Sequence, residues 1–439
     1  AATGTGTTGG AATGTGTTGG AATGTGTTGG GLRVSSQPLV ATGAAPGDRV
    51  VVLVLRFDAG GGAILSGFTV KAAGRVSEQR TLGELRVIGD DNANGVVDPG
   101  EQALATVAAP AFPRNDASVR VAFPTPVGIA PGASLQLLVE VEVVASGRFV
   151  LSLPGKDIRL QVLAPGDILA TPAPTGNFPL EGAVPVALTD HLLITEVSAA
   201  NPEYVEVFNP TAQTVDLSKV YITDYTASGR GYHLLPSGTD FRPTFFSGDF
   251  LMRFPPGATL APGQTVVVAL RADDFETTYG FRADYAMNGG QGNERMHGPD
   301  SSNPPRWRAR GPSAFANLRG RGEAVVLFTW DGQSDRVQDL DYVFYGSPAS
   351  SARNARIDKT GDSVDGPDAD SLPTSYLPET PGGQQKSAPR PRSGDTTQRI
   401  VFTEQGEAKS GGNGLTGHDE TSEPWDTTFV RDAPTPGQP

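Results

Sequence analysis

A chain in which a glycine or a proline falls at about every fifth position cannot be assembled from long helices. The sequence holds 58 glycines and 36 prolines in 439 residues, and neither residue is well tolerated in a helix interior. What this leaves is a fold of short strands joined by many turns. Cysteine is absent, which removes disulfides and thiolate metal ligands from consideration. At this length the chain has material for two or three domains, each with its own core.

The strand pattern is plain in two regions. Between residues 32 and 165, apolar runs with period-two alternation are bounded by turn residues: Arg49–Phe57, Ile64–Lys71, Leu82–Ile88, Ser118–Phe123, Leu135–Val144 and Arg148–Leu153. Alternation at this spacing predicts a β-sandwich of about eight or nine strands. Residues 166–190 are proline-rich with little charge and read as a linker. A second β-rich domain is expected over 191–439, with strands at Leu192–Val197, Tyr204–Asn209, Val220–Thr223, Thr265–Ala269 and Ala324–Trp330. A long polar insertion separates Thr226 from Gly322, and the chain beyond Gly346 is rich in Gly, Pro, Asp and Ser. The composition leaves open whether that last segment packs or stays loose. The fold class expected is all-β: two tandem immunoglobulin-like β-sandwich domains preceded by a Gly/Thr-rich tail.

That tail, residues 1–31, opens with three identical copies of a ten-residue Ala/Thr/Gly unit. No side chain in it exceeds threonine, so it buries too little apolar area to offset its own ordering entropy. Its alternation Thr3, Gly4, Thr5, Gly6, Thr7, followed by Thr8, sets threonines on one face and bare backbone on the other. Such a strand suits β-augmentation, in which main-chain hydrogen bonds join the tail to a sheet edge of a neighbouring copy. The bland alternative is a flexible tether.

Five segments of the second half are similar to lamin tail domains. They are Leu193-Ile194-Thr195-Glu196-Val197, Glu203 through Pro210, Val215-Asp216-Leu217-Ser218, and the later runs Ala258–Val267 and Gly322–Leu327. Thr435-Pro436-Gly437 resembles the family's closing motif. The chain departs from the pattern at Lys219-Val220-Tyr221, where the family carries Gly-Trp. The resemblance implies an immunoglobulin-like sandwich that serves as a binding or structural module in exported proteins. Glu196 and Glu206 invite a reading as a carboxylate pair, against which stands a structural one, bonding to nearby backbone or arginine.

The sharpest local signal is Asp90-Asp91-Asn92-Ala93-Asn94-Gly95-Val96-Val97-Asp98-Pro99-Gly100-Glu101. Oxygen donors fall at Asp90, Asn92, Asn94, the Val96 carbonyl, Asp98 and Glu101, with Gly95 at the sharp turn. This is the complete twelve-residue calcium-loop spacing. Its flanks are strands rather than amphipathic helices, so the expected cofactor is a static structural Ca²⁺ and not a sensor ion.

Other features are less pointed. Six arginines lie between Arg295 and Arg321 (Arg295, Arg306, Arg308, Arg310, Arg319, Arg321) with Trp307 among them. They form a candidate ligand or interface patch for a glycan or polyanion. The net charge of −13 argues against nucleic acid as a general partner. Asp358, Asp362, Asp365, Asp368 and Asp370 read as a solvated acidic loop. His191, His233, His297 and His418 are scattered without zinc spacing, and His418-Asp419-Glu420 reads as surface. No nucleophile elbow, phosphate loop or dinucleotide fingerprint is present, so no catalytic residue is assigned and an enzyme is not expected.

No apolar run reaches the length that spans a bilayer as a helix. The start at Ala1, directly in low-complexity sequence, suggests a processed, secreted chain. The function expected is that of an extracellular filament or surface-assembly subunit whose partner is its own copy. The alternatives are a monomeric cell-surface binding module and an accessory protein of an exported nuclease or phosphoesterase.

Overall fold

The computed structural model describes residues 30–41, 43–226, 231–238, 248–289, 292, 294–297, 317–347 and 356–439. The repeat residues Thr3 to Thr8, together with Arg306, Trp307, Arg308 and Arg310, lie outside the described residues.

The first half is a sandwich of two sheets. One has the strand order Pro174–Thr175, Leu32–Gln37, Arg49–Ala59, Ser134–Val143, Leu82–Asp90, Ala103–Val107. The other has the order Leu180–Pro185, Asp157–Val162, Ala63–Ala72, Ser118–Ile129, with Ile168–Thr171 also paired to Ala63–Ala72. Period-two alternation turns Leu55, Phe57, Phe68, Val70, Leu137 and Val139 inward, where all are buried. The close approach of the sheets depends on Gly182, since a Cβ there would lie 1.9 Å from the Val52 carbonyl oxygen.

Two expectations need correction here. Residues 166–190 are not a linker: they supply three strands, at 168–171, 174–175 and 180–185, that complete both sheets. Proline concealed them because it suits short edge segments as well as linkers. Arg148–Leu153 is not a strand but part of a 3₁₀ turn, Gly147–Ser152. Its apolar residues Phe149, Val150 and Leu153 recur every three or four positions, the period of a helical turn and not of a strand.

The second half is built around two larger sheets, with two-stranded pairings of Val215–Asp216 with Thr259–Leu260 and of Ser363–Val364 with Thr374–Ser375 beside them. A seven-stranded sheet runs Glu294–Arg295, Tyr285–Asn288, Thr265–Arg271, Tyr204–Phe208, Leu193–Ser198, Thr396–Arg399, Phe429–Asp432. A four-stranded sheet runs Leu251–Arg253, Val220–Thr223, Gly322–Thr329, Gln338–Gly346. Between them lie Ile194, Val205, Val207, Val266, Leu327, Tyr342 and Trp425, all buried. The outer face of the larger sheet is covered too: helix Ala272–Tyr279 lays Phe275 against Tyr204, with ring centroids 5.5 Å apart. This is why Leu193–Ser198 and Tyr204–Phe208 are buried on both faces. The Gly/Pro-rich stretch beyond Gly346 returns to the domain, since its last strands close the larger sheet at Glu196↔Gln398 and Arg399↔Phe429.

Candidate metal centres

The predicted loop joins strand Leu82–Asp90 to strand Ala103–Val107, which pair antiparallel at the edge of the first sheet. Asp90, only 5% exposed, anchors it: Oδ2 accepts hydrogen bonds from Gly95 N and Gln136 Nε2, both at 2.8 Å, and Oδ1 accepts from Asn94 N at 3.2 Å. Gly95 turns at φ +81° and is buried against Val40. Asp98 Oδ2 accepts from Asn92 Nδ2 at 2.6 Å and Asn94 Nδ2 at 2.8 Å, which draws three of the proposed donors together. Glu101 spans the mouth, accepting from Asp91 N at 3.0 Å and Asp98 N at 2.9 Å. The donor set is all hard oxygen once the two asparagine amides rotate, a small adjustment because their two ends are nearly isosteric. The donor types therefore match those a calcium loop uses.

The structure assembles a second group that sequence spacing missed. His191 and His418, far apart in the chain, meet edge to face with ring centroids 5.2 Å apart. His191 Nδ1 lies 2.8 Å from Asp190 Oδ1 and its Nε2 lies 2.9 Å from Glu404 Oε1. Glu420 Oε1 is 4.0 Å from the same nitrogen, and Glu407 Oε2 is 3.6 Å from His418 Nδ1. Contrary to the surface reading of His418-Asp419-Glu420, all three residues are buried. Burial alone would push the His191 imidazole down, but Glu404 and Glu420 outweigh it and hold the pKa well above the ordinary value. Glu404 is correspondingly drawn down to about 2, its burial overcome by the His191 charge.

Nitrogen and carboxylate donors this close could hold a transition metal. A cation is already in place, however: Lys409 Nζ lies 3.3 Å from Glu404 Oε2 and 3.1 Å from Glu407 Oε2. The arrangement therefore works as an ionic clamp that fastens residues 404–420 to His191.

The remaining expected residues fall as follows. Of the arginine patch, Arg295 lies in a two-residue strand, Arg319 is half-buried and Arg321 exposed. Asp358, Asp365, Asp368 and Asp370 are exposed, whereas Asp362 bonds His233 at 2.8 Å. Glu196 and Glu206 act structurally. Glu196 Oε1 accepts from Thr435 N at 3.1 Å and Glu206 Oε2 from Gly437 N at 2.6 Å, so both hold the closing Thr-Pro-Gly segment.

The second half has the immunoglobulin-like sandwich fold. Residues 185–344 match the family model described as Lamin Tail Domain, so the second half of the chain contains a lamin tail domain, a family of binding or structural domains and not of enzymes. Among solved structures, the chain is similar to a DUF4876 family protein from Bacteroides thetaiotaomicron VPI-5482. The identity is 12% and the TM-score 0.31, with 81% of this chain and 89% of that one covered. It is also similar to a fucolectin from striped bass (Morone saxatilis) serum, at 13% identity and TM-score 0.15, covering 54% of this chain and 84% of that one. No curated protein matches the sequence. Among the described residues no helix is long and apolar enough to cross a membrane.

Proposed function

We propose that the protein is a non-catalytic extracellular structural subunit, stiffened by calcium at Asp90–Glu101 and joined to its neighbours through the Gly/Thr tail. The observation that supports this reading is the loop itself. It closes a hairpin between two sheet strands, where an ion stiffens an edge but has no helix pair to open. Calcium loops of extracellular modules work at roughly 10⁻⁴–10⁻³ M, a range that suits the fluid outside cells. The tail leaves the first sandwich at Gly31, immediately before strand Leu32–Gln37, and so starts from a sheet rather than from a loose segment. Strand Ser118–Ile129 ends its own sheet and offers an edge for main-chain pairing with a tail from another copy.

Negative-stain microscopy of the full chain and of a chain lacking residues 1–30, each in calcium and in EDTA, tests the proposal. Filaments or arrays that require both the tail and calcium support it. Monodisperse particles in every sample overturn it, and saturable retention of such a monomer on a glycan or heparin column would identify a binding module instead.

A further inference from the structure

The smaller sheet of the lamin tail domain gathers carboxylates at one end. Thr223 pairs with Leu251 on one side and Val326 on the other, and Glu323 pairs with Tyr345. Asp224 follows the first of these strands, Asp249 comes just before the second, and Glu323 is the second residue of the third. Carboxylate oxygens of Asp224, Asp249 and Glu323 lie within 4.8 Å of one another. The three side chains are 0%, 4% and 0% exposed.

What sets Asp224, Glu323 and the neighbouring Tyr345 apart is their unmet bonding. Asp224 Oδ1 accepts from Phe250 N at 2.6 Å, and Glu323 Oε2 accepts from Arg319 N. Asp224 Oδ2, Glu323 Oε1 and the Tyr345 hydroxyl are each buried with no hydrogen bond. Among the described residues neither Asp224 nor Glu323 has an ion-pair partner, whereas the His191 group has Lys409 and the carboxylates of Asp341 and Glu423 have Arg399. Burial, then the charges of Glu323 and Asp249, push the Asp224 carboxyl well above its ordinary range, and burial with the Asp249 charge beside it pushes Glu323 up to about 8, so without a cation these two carboxyls favour their protonated forms. Glu203, which donates no charge relief, and the half-buried Arg319 are the other titratable groups facing Glu323.

We propose that Asp224, Asp249 and Glu323 form a second site for a hard divalent cation, calcium, with the Tyr345 hydroxyl beside it. Oxygen-only donors select calcium or magnesium over softer metals, and three carboxylates offset the ion's charge. Two of the ligands bracket the long insertion, Asp224 just before it and Glu323 just after it, and Asp249 lies within it, so one ion ties the insertion to the sheet at both ends and at an interior point. This site is independent of the loop at Asp90–Glu101.

Equilibrium dialysis of the full chain against ⁴⁵Ca²⁺ tests it, using D90N/E101Q to remove the first loop. That variant is expected to keep about one equivalent of calcium, and adding D224N/E323Q is expected to abolish it. The amide pair relieves repulsion, so in EDTA its melting temperature should equal or exceed that of D90N/E101Q. A second reading is independent of those substitutions: Tb³⁺ bound to D90N/E101Q should luminesce on tyrosine excitation. Y345F, which removes a hydroxyl that has no hydrogen bond, should dim that signal by about half or more. A D90N/E101Q protein that binds no calcium, or calcium binding that survives D224N/E323Q, overturns the site and leaves protons shared among the three carboxylates. Tb³⁺ emission unchanged in Y345F overturns its placement.

Discussion

Arg399 Nη2 donates to both oxygens of Asp341, at 2.9 and 2.8 Å, with both side chains fully buried. Arg399 Nε also donates to the Ile194 carbonyl at 2.9 Å, and Nη1 pairs with Glu423. One guanidinium thus joins four chain segments: a C-terminal strand, the first strand of the lamin tail domain, strand Gln338–Gly346 and the turn before Trp425. Arg399→Met is expected to cost about 3–5 kcal/mol, because it strands two buried carboxylates. Urea denaturation measures the loss, and limited proteolysis should show cleavage beginning beyond Gly346.

Lys359 occupies a comparable position. Its Nζ lies 2.5 Å from both Asp339 Oδ2 and Glu379 Oε1 and 3.1 Å from the Tyr232 hydroxyl, and its side chain is fully buried. Lys359→Met alone should destabilise by about 3–5 kcal/mol. The triple change with Asp339→Asn and Glu379→Gln should recover much of that loss, since no unpaired charge then remains. Chemical denaturation of the two variants makes the comparison.

His233 supplies the pH dependence. Burial, reinforced by the charge of Lys359, pushes its pKa down to about 4, although Asp362 and Glu379 pull the other way. The unfolded chain binds the proton near pH 6.5. The contribution is therefore fully present above pH 6.5 and is lost as pH falls through about 4, a total of about 3 kcal/mol. His233→Gln should flatten that part of the stability curve, read from urea midpoints between pH 7 and pH 4.

Calcium should raise the melting temperature of the native protein, and Glu101→Gln should remove the part that belongs to the first sandwich. At calcium one hundred times the dissociation constant, a single site adds about 2.7 kcal/mol. Scanning calorimetry in calcium and in EDTA gives the difference directly.

Removing residues 434–439 should leave Glu196 and Glu206 without the backbone donors of Thr435 and Gly437. Each buried carboxylate that loses a donor costs about 1–3 kcal/mol. Thermal melts of the truncated and complete chains report the sum.

What the sequence by itself determined is local in character. Glycine and proline frequency excluded long helices, alternation placed strands such as Arg49–Phe57 and Leu82–Ile88, which the structure extends to Ala59 and Asp90, and a twelve-residue spacing marked the loop from Asp90 to Glu101. The lamin tail motifs were legible for the same reason, as runs of adjacent residues whose pattern survives without partners. Tertiary structure alone decided the rest. His191 meets His418 and Glu404, Asp341 meets Arg399, and Glu323 meets Asp224 only because strand order and register bring together positions from about sixty to more than two hundred residues apart. A buried charge looks like a surface charge in sequence, since the energetic distinction between them lies in the surroundings and not in the residue. That is why the Gly/Pro-rich segment beyond Gly346 could be read as loose, when its charged residues Lys359, Arg399 and Glu404 are the ones that fasten it down.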